Sequence, residues 1–126
     1  MQWLWKVPSF LIKWRLKMRA ERGEVWQVDF GMTAKVRPAL LLTGEPADDE
    51  LDLLTVLLHT TATRGNQWEL VIPKSFLKPG AFHLQQVQTI SGAKLLRRLG
   101  SLTAHEIQHM ESRLSERLGL YKSDLP

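Results

Sequence analysis

Hydrophobic and polar positions along the chain predict a series of short strands. Over residues 24–30 the two kinds alternate with a period of two, as in a strand with one buried face. Continuous aliphatic runs at 38–43 and 53–58 are typical of strands buried on both faces. A shorter run at 68–72 predicts a further strand, and alternation over 82–90 assigns even positions to one face and odd positions to the other. The polar stretches between these runs predict loops.

The pattern changes to that of a helix near the end of the chain. Thr103 and Glu106 have the spacing of a capping box, and Gly119 supplies a left-handed stop. Apolar residues recur between them on one helical face, at Ile107, Met110, Leu114 and Leu118. Residues 93–102 fit either a helical turn or a short strand. The whole pattern predicts a mainly β domain with a C-terminal helix (α+β), built as a small barrel or strongly curved sheet.

Residues 1–17 differ in composition from the rest of the chain. They are rich in tryptophan and aliphatic residues and carry four basic residues and no acid. Charges and a proline interrupt the apolar run, so a secretory signal and a membrane span are both excluded. We expect an N-terminal extension, either disordered or produced by a start assigned too early, before a domain at 18–126. A membrane-surface helix at 1–17 is the alternative.

Composition limits the chemistry that the domain can perform. The chain of 126 residues suits one domain, and it contains no cysteine. Thiol nucleophiles, disulfides and cysteine-based metal sites are therefore excluded, which fits a cytoplasmic location. The net charge is +4, but without the four basic residues of the extension 13 basic and 13 acidic residues remain. Binding of a nucleic acid would therefore need a local basic patch.

Arg37 is the first candidate for a functional residue. It stands between a polar loop and an aliphatic run. A guanidinium stays charged at any working pH and can bind a phosphate through two parallel hydrogen bonds. The alternative is a surface ion pair with an acid such as Asp29.

A second cluster of polar residues follows the next aliphatic run. Thr60, Thr61 and Arg64 lie in this segment, and His59 comes just before them. Hydroxyl, imidazole and guanidinium groups at adjacent strand ends could surround one phosphodiester. Threonine and glycine are also common in turns, so an ordinary loop is the alternative.

The remaining polar residues favour contacts with RNA over a metal site. Gln85, Gln86 and Gln88 supply amides that can read the base edges of single-stranded RNA, or that form a solvated strand face. His105 and His109 have a spacing that can bind a metal on a helix, but no third ligand accompanies them. We therefore predict that the protein uses neither a metal nor a cofactor.

Five segments in order resemble the MazF/PemK family of toxin ribonucleases. The resemblance extends from Arg22 to Leu120. The first two segments are Arg-Gly-Glu before a hydrophobic strand at 22–26 and the stretch with Arg-Pro-Ala-Leu at 36–42. The other three are a strand ending in Thr-Thr at 56–61, Gln-Val-Gln-Thr-Ile at 86–90, and Leu-Gly-Ser-Leu-Thr before the helix at 99–103.

The resemblance implies an SH3-like barrel and a cytoplasmic homodimer that cleaves single-stranded RNA without metal. It also implies a cognate antitoxin, with which the toxin binds DNA. Arg37 matches the family's catalytic arginine, and Thr61 matches its threonine, or Thr60 if the alignment slips by one residue. Gln88 replaces a family arginine, a charge that Arg64 could supply. The loop at 31–35 is shorter than the family loop that helps to recognise RNA.

The implied reaction is attack by the RNA 2′-hydroxyl on the adjacent phosphate, which needs a base, an acid and charge stabilisation. Arg37 would stabilise the phosphorane and could protonate the leaving oxygen. The threonine would donate a hydrogen bond to a phosphate oxygen, and His59 or His83 would be the base. Two alternatives remain, namely a barrel toxin that blocks a protein such as a topoisomerase, and an RNA-binding module without activity.

Overall fold

A computed structural model describes residues 19–31 and 35–120. The predicted extension at 1–17 and the middle of the 31–35 loop lie outside these ranges. Within them, six strands form one antiparallel sheet in the order β4-β5-β3-β2-β1-β6. The elements are β1 (Glu24–Asp29), β2 (Val36–Leu41), β3 (Leu53–Thr60), β4 (Glu69–Leu70), β5 (Ala81–Ser91), a short 3₁₀-helix (Gly92–Lys94), β6 (Leu95–Ser101) and α1 (Ala104–Leu118).

The sheet carries an apolar cluster on each face. Because side chains alternate along a strand, β1, β2 and β3 contribute to both clusters. The helix-side cluster contains Val25, Leu40 and Leu57, and α1 covers it with Met110. The opposite cluster contains Trp26, Val28, Ala39, Leu41, Leu54, Val56 and Leu58. A fully buried leucine or valine stabilises the fold by about 1.5–3 kcal/mol, so these two clusters stabilise the sheet from both faces.

Helix α1 begins and ends where the sequence predicts. The Thr103 hydroxyl accepts a hydrogen bond from the Glu106 N–H, and the Glu106 carboxylate accepts one from the Thr103 N–H. Gly119 ends the helix with a φ of +71°. Leu118 is 53% exposed, contrary to the predicted apolar face, because the last turn extends past the cluster that Met110 contacts. No helix in the described part of the chain is long and apolar enough to cross a bilayer.

The predicted mainly β domain with a C-terminal helix is confirmed, with differences at several elements. The ambiguous segment 93–102 forms the end of the 3₁₀-helix and β6. The strand expected at 68–72 is reduced to Glu69–Leu70 at the sheet edge. In the described ranges β4 and β6 remain open edges, so the sheet does not close into a hydrogen-bonded barrel.

Strand β3 continues two residues beyond the predicted end. Thr60 pairs with Ala81 of β5, so the strand runs through His59 to Thr60. Gly80 permits this close approach, because a Cβ at that position would collide with the Thr60 carbonyl oxygen. Because His59 and Thr60 belong to β3, their side chains lie on alternate faces of the sheet, like those of the residues before them.

Strand β5 contains a bulge opposite the end of β3. Leu57 of β3 pairs with Val87 of β5, and His59 pairs with Phe82. The step from Leu57 to His59 therefore lies opposite the longer segment of β5 from Val87 back to Phe82. Phe82 and Val87 both pack in the helix-side cluster, whereas Ile90 belongs to the opposite one. The single uninterrupted alternation predicted over 82–90 is therefore wrong, because the bulge shifts the order of the faces.

Candidate active site

A cleft of about 420 Å³ opens where β2 begins and β3 ends, between β5 and the loop that follows β3. Two guanidinium groups and several neutral polar groups line it. None of its lining residues, all in the described ranges, is acidic, so the cleft is a local positive cavity. The lining residues are Arg37, Thr60, Ala62, Arg64, Asn66, His83, Gln85 and Gln86.

Strand alternation brings Arg37 and Thr60 into the cleft together. Ala39 of β2 pairs with Leu58 of β3, and both are buried in the cluster opposite the helix. Arg37 lies two residues before Ala39, and Thr60 lies two residues after Leu58. Because the strands are antiparallel, both residues lie at the same end of the strand pair and on the same face as Ala39 and Leu58. A guanidinium and a hydroxyl therefore project side by side where the apolar cluster ends.

The two threonines that the sequence left as alternatives have different surroundings. Thr60 is 7% exposed and lines the cleft, and its hydroxyl oxygen accepts a hydrogen bond from the Ala62 N–H at 3.0 Å. Thr61 follows the last residue of β3 and is exposed to solvent. Thr60 is therefore the threonine that shares the cleft with Arg37.

The bulge in β5 explains why two consecutive glutamines line the same cleft. In a regular strand, Gln85 and Gln86 would point to opposite faces. Here both line the cleft, and the Oε1 atom of Gln86 is buried without a hydrogen-bond partner, which is uncommon for an acceptor. Gln88 pairs with Val56 further along β5 and is exposed away from the cleft. The structure thus brings Gln85 and Gln86 together with Arg64, but not Gln88.

The two histidines considered as a base lie on opposite sides of the sheet. His83 lines the cleft, and its Nδ1 accepts a hydrogen bond from the Gln85 N–H at 3.2 Å. His59 is buried and packs edge-to-face against Phe82, with the ring centroids 4.9 Å apart. Burial lowers the pKa of His59, so its neutral form is favoured in the folded protein.

The two helical histidines whose spacing could bind a metal lie on the surface. His105 and His109 are exposed on α1. Across the described ranges, no group of three or more histidine, aspartate or glutamate side chains is arranged to hold a metal ion.

A family model described as PemK-like, MazF-like toxin of type II toxin–antitoxin system matches residues 21–118. The chain belongs to this family. The match covers all six strands and the whole of α1. No match was found among curated proteins.

Solved structures of toxins share the fold. An endoribonuclease in complex with its cognate antitoxin from a mycobacterial species aligns with a TM-score of 0.69 at 21% identity, over 82% of this chain and 98% of that one. The Mycobacterium tuberculosis toxin MazF-mt6 aligns with a TM-score of 0.67 at 25% identity, over 79% and 99%. MazE–MazF from Deinococcus radiodurans (Form-II) gives 0.66 at 18% identity, over 80% and 96%.

Two residues of this PemK/MazF-like toxin site were missed from the sequence. Asn66 lines the cleft, although its segment was interpreted only as a polar loop. Its side-chain amide, like those of the glutamines, could have marked it as a candidate for RNA binding. Glu69 lies beside the cleft and binds two backbone N–H groups of that loop. No sequence pattern indicated this contact, because it depends on the way the loop before β4 turns.

Proposed function

We propose that this toxin is a metal-independent endoribonuclease that cleaves single-stranded RNA in the cytoplasm. The supporting observation is the cleft itself, which combines Arg37, Thr60 and His83 with further cationic and amide groups. Such a lining suits a polyanionic substrate and supplies charge stabilisation, hydrogen bonds and an imidazole. Because none of the lining residues is acidic, the proposed chemistry is carried by side chains without a metal.

In the proposed reaction, the RNA supplies its own nucleophile. The 2′-oxygen forms a bond to phosphorus as the bond to the 5′-oxygen breaks, which leaves a 2′,3′-cyclic phosphate and a 5′-hydroxyl. Arg37 stabilises the charge on the equatorial phosphate oxygens, and Thr60 donates its hydroxyl hydrogen to one of them. His83 takes the proton of the 2′-hydroxyl, and the leaving oxygen takes a proton from Arg37 or from water.

The hydrogen bond at His83 decides what the imidazole must do first. While Nδ1 accepts from the Gln85 N–H, the neutral ring carries its proton on Nε2. To accept the 2′ proton at Nε2, the ring must first move its own proton to Nδ1 and lose this hydrogen bond. A neutral hydrogen bond stabilises by about 0.5–1.5 kcal/mol, so the cost is small beside the gain from general base catalysis.

The rest of the cleft suits recognition of unpaired RNA. Arg64 carries a charge for a second phosphate, and the amides of Asn66, Gln85 and Gln86 can bind base edges. Gln88 lies outside the cleft and has no role in this proposal.

The toxin is proposed to act as a homodimer and to be inhibited by a cognate antitoxin. The endoribonuclease from a mycobacterial species and the MazF of Deinococcus radiodurans were each solved with an antitoxin or MazE. Exposed apolar side chains, such as Leu53, Val71 and Leu96, offer surface for such partners. An acidic antitoxin segment laid across the positive cleft would compete directly with RNA.

The proposal predicts cleavage of a long unstructured RNA by the purified toxin in excess EDTA. The expected products carry a 2′,3′-cyclic phosphate and a 5′-hydroxyl, which end-labelling and mass spectrometry identify. Activity that disappears in EDTA and returns with added magnesium would contradict the metal-independent mechanism. A toxin that arrests growth but leaves RNA intact would instead favour a block of a protein target such as a topoisomerase.

The two threonines predict a matched pair of variants. Thr60→Val removes the hydroxyl from the cleft with nearly unchanged shape, and should lower the cleavage rate about tenfold, the effect of about 1.4 kcal/mol for one lost hydrogen bond to a charged group. Thr61→Val should cut RNA at the wild-type rate because its side chain is exposed. Single-turnover rates on one RNA oligonucleotide provide the comparison. If Thr61→Val is the damaging change, the assignment of Thr60 is wrong.

A further inference from the structure

Glu69 closes the loop that forms one wall of the cleft. It begins the edge strand β4 and pairs with His83 of β5. Its Oε2 atom accepts a hydrogen bond from the Arg64 N–H at 2.6 Å, and its Oε1 atom accepts one from the Gly65 N–H at 2.7 Å. One carboxylate therefore binds two successive backbone groups at the point where Gly65 turns with a φ of +78°.

The far end of the same loop is held independently. A guanidinium N–H of Arg113 donates to the Gln67 carbonyl oxygen at 2.6 Å, and the guanidinium lies 5.3 Å from the ring centroid of Trp68. Helix α1 thus anchors residues 67–68. Within the turn, Asn66 accepts hydrogen bonds from the Trp68 N–H at its Oδ1 atom and from the Glu69 N–H at its carbonyl oxygen. The Arg64 and Gly65 N–H groups are bound by the Glu69 carboxylate.

We infer that Glu69 is a positioning residue, whose carboxylate holds the 64–66 turn so that Arg64 and Asn66 face the cleft. The inference rests on the proposed function, because these two side chains are assigned there to RNA binding. The catalytic groups of that proposal lie on β2, β3 and β5, outside the turn. Glu69 should therefore affect substrate binding more than the chemical step.

This role can be tested because the positioning effect and the charge effect of Glu69 on RNA binding have opposite signs. A carboxylate beside a cleft for a polyanion repels the substrate, so its charge alone weakens RNA binding. Its hydrogen bonds to the turn are charge-assisted and strong. The hydrogen bond from the Arg64 N–H, followed by that from the Gly65 N–H, lowers the pKa of Glu69, so the carboxylate is ionised at neutral pH.

The test compares Glu69→Gln and Glu69→Asp with the wild-type full chain on a single-stranded RNA oligonucleotide. Glutamine removes the charge and one of the two acceptor oxygens, whereas aspartate keeps the charge but loses the reach. Positioning predicts that both raise KM about tenfold, and that kcat stays within twofold in Glu69→Asp, which keeps the carboxylate charge beside His83. A charge effect alone predicts a lower KM for Glu69→Gln and a wild-type KM for Glu69→Asp, and that result would overturn the inference.

Glu50→Gln is the matched control. Glu50 also accepts a hydrogen bond from a loop N–H, that of Ala47 at 2.8 Å, but it lies outside the cleft lining. The variant removes the same charge and should leave KM unchanged. A rise in KM equal to that of Glu69→Gln would show a general effect of net charge or loop loosening and would contradict the inference.

A double variant tests whether Glu69 acts through Arg64. If it does, adding Glu69→Gln to Arg64→Ala should raise KM by less than twofold beyond Arg64→Ala alone, since residues that act as a unit are not additive. Fully multiplicative effects would show that Glu69 acts independently of Arg64.

Amide hydrogen exchange separates this inference from the nuclease proposal. In Glu69→Gln the Arg64 and Gly65 amides should exchange at least tenfold faster in NMR, while amides in the core of β3 exchange as in the wild type. This measurement needs no activity. If the wild-type toxin fails to cut RNA, the nuclease proposal fails and the exchange rates still decide the role of Glu69. Unchanged exchange at both amides would overturn it.

Discussion

Replacing Arg37 by alanine should lower RNA cleavage about 10²–10³-fold, because one preorganised donor to a developing phosphate charge typically contributes that much to the rate. Arg37 lies near the start of β2 and is partly exposed in the cleft, beyond the buried residues of the strand. The variant should therefore stay folded, with a circular dichroism spectrum like that of the wild type. Single-turnover cleavage of one RNA oligonucleotide measures the loss.

Two further arginine variants sharpen this prediction. Arg97→Ala removes an exposed arginine of β6 that is outside the cleft lining, and it should cut RNA at nearly the wild-type rate. Arg37→Lys keeps the charge but loses the planar fork, so its rate should fall between those of the wild type and Arg37→Ala. Full activity in a folded Arg37→Ala protein would remove Arg37 from the mechanism.

His83→Asn should lower cleavage about 10²–10⁴-fold, the usual contribution of a positioned general base. The single-turnover rate on one RNA oligonucleotide, with a circular dichroism spectrum to confirm that the variant is folded, provides the measurement. A folded His83→Asn protein that cuts RNA at the wild-type rate would show that another group is the base.

His59→Phe is the control for the histidine experiment. It keeps an aromatic ring against Phe82 and should retain the wild-type cleavage rate, because His59 packs against Phe82 of the helix-side cluster and does not line the cleft. We expect the His59→Phe substitution to change the free energy of unfolding instead. Burial lowers the pKa of His59 below its ordinary value of 6.5, so below about that pH the unfolded chain binds the proton more readily and the free energy of unfolding decreases. In His59→Phe this part of the acid destabilisation should be absent.

Local pattern was sufficient for most of the fold. Alternation and aliphatic runs predicted β1, β2 and β3, and the capping box with Gly119 predicted both ends of α1. These features depend on residues only a few positions apart, so the chain itself carries the information. The order of five short motifs also indicated the family, which the match over residues 21–118 confirms.

The arrangement of the candidate site needed contacts between segments far apart in the chain. The sequence left Thr60 and Thr61 as alternatives, and the pairing of Thr60 with Ala81 places Thr60 in the cleft. His83 and His59 likewise lie on opposite faces of the sheet. His83 lines the cleft, whereas His59 packs against Phe82 of the helix-side cluster.

The β5 bulge and the Glu69 contact show the same division most clearly. A regular strand period of two assigns Gln85 and Gln86 to opposite faces of the sheet. In the structure, β5 has extra residues opposite β3 at the bulge, and both glutamines line the cleft. Glu69 binds two N–H groups only because the preceding loop folds back onto β4. Sequence determined which residues form strands and helix, since periodicity is local. Tertiary structure decided which polar side chains meet, because the register between distant strands sets the faces that they share.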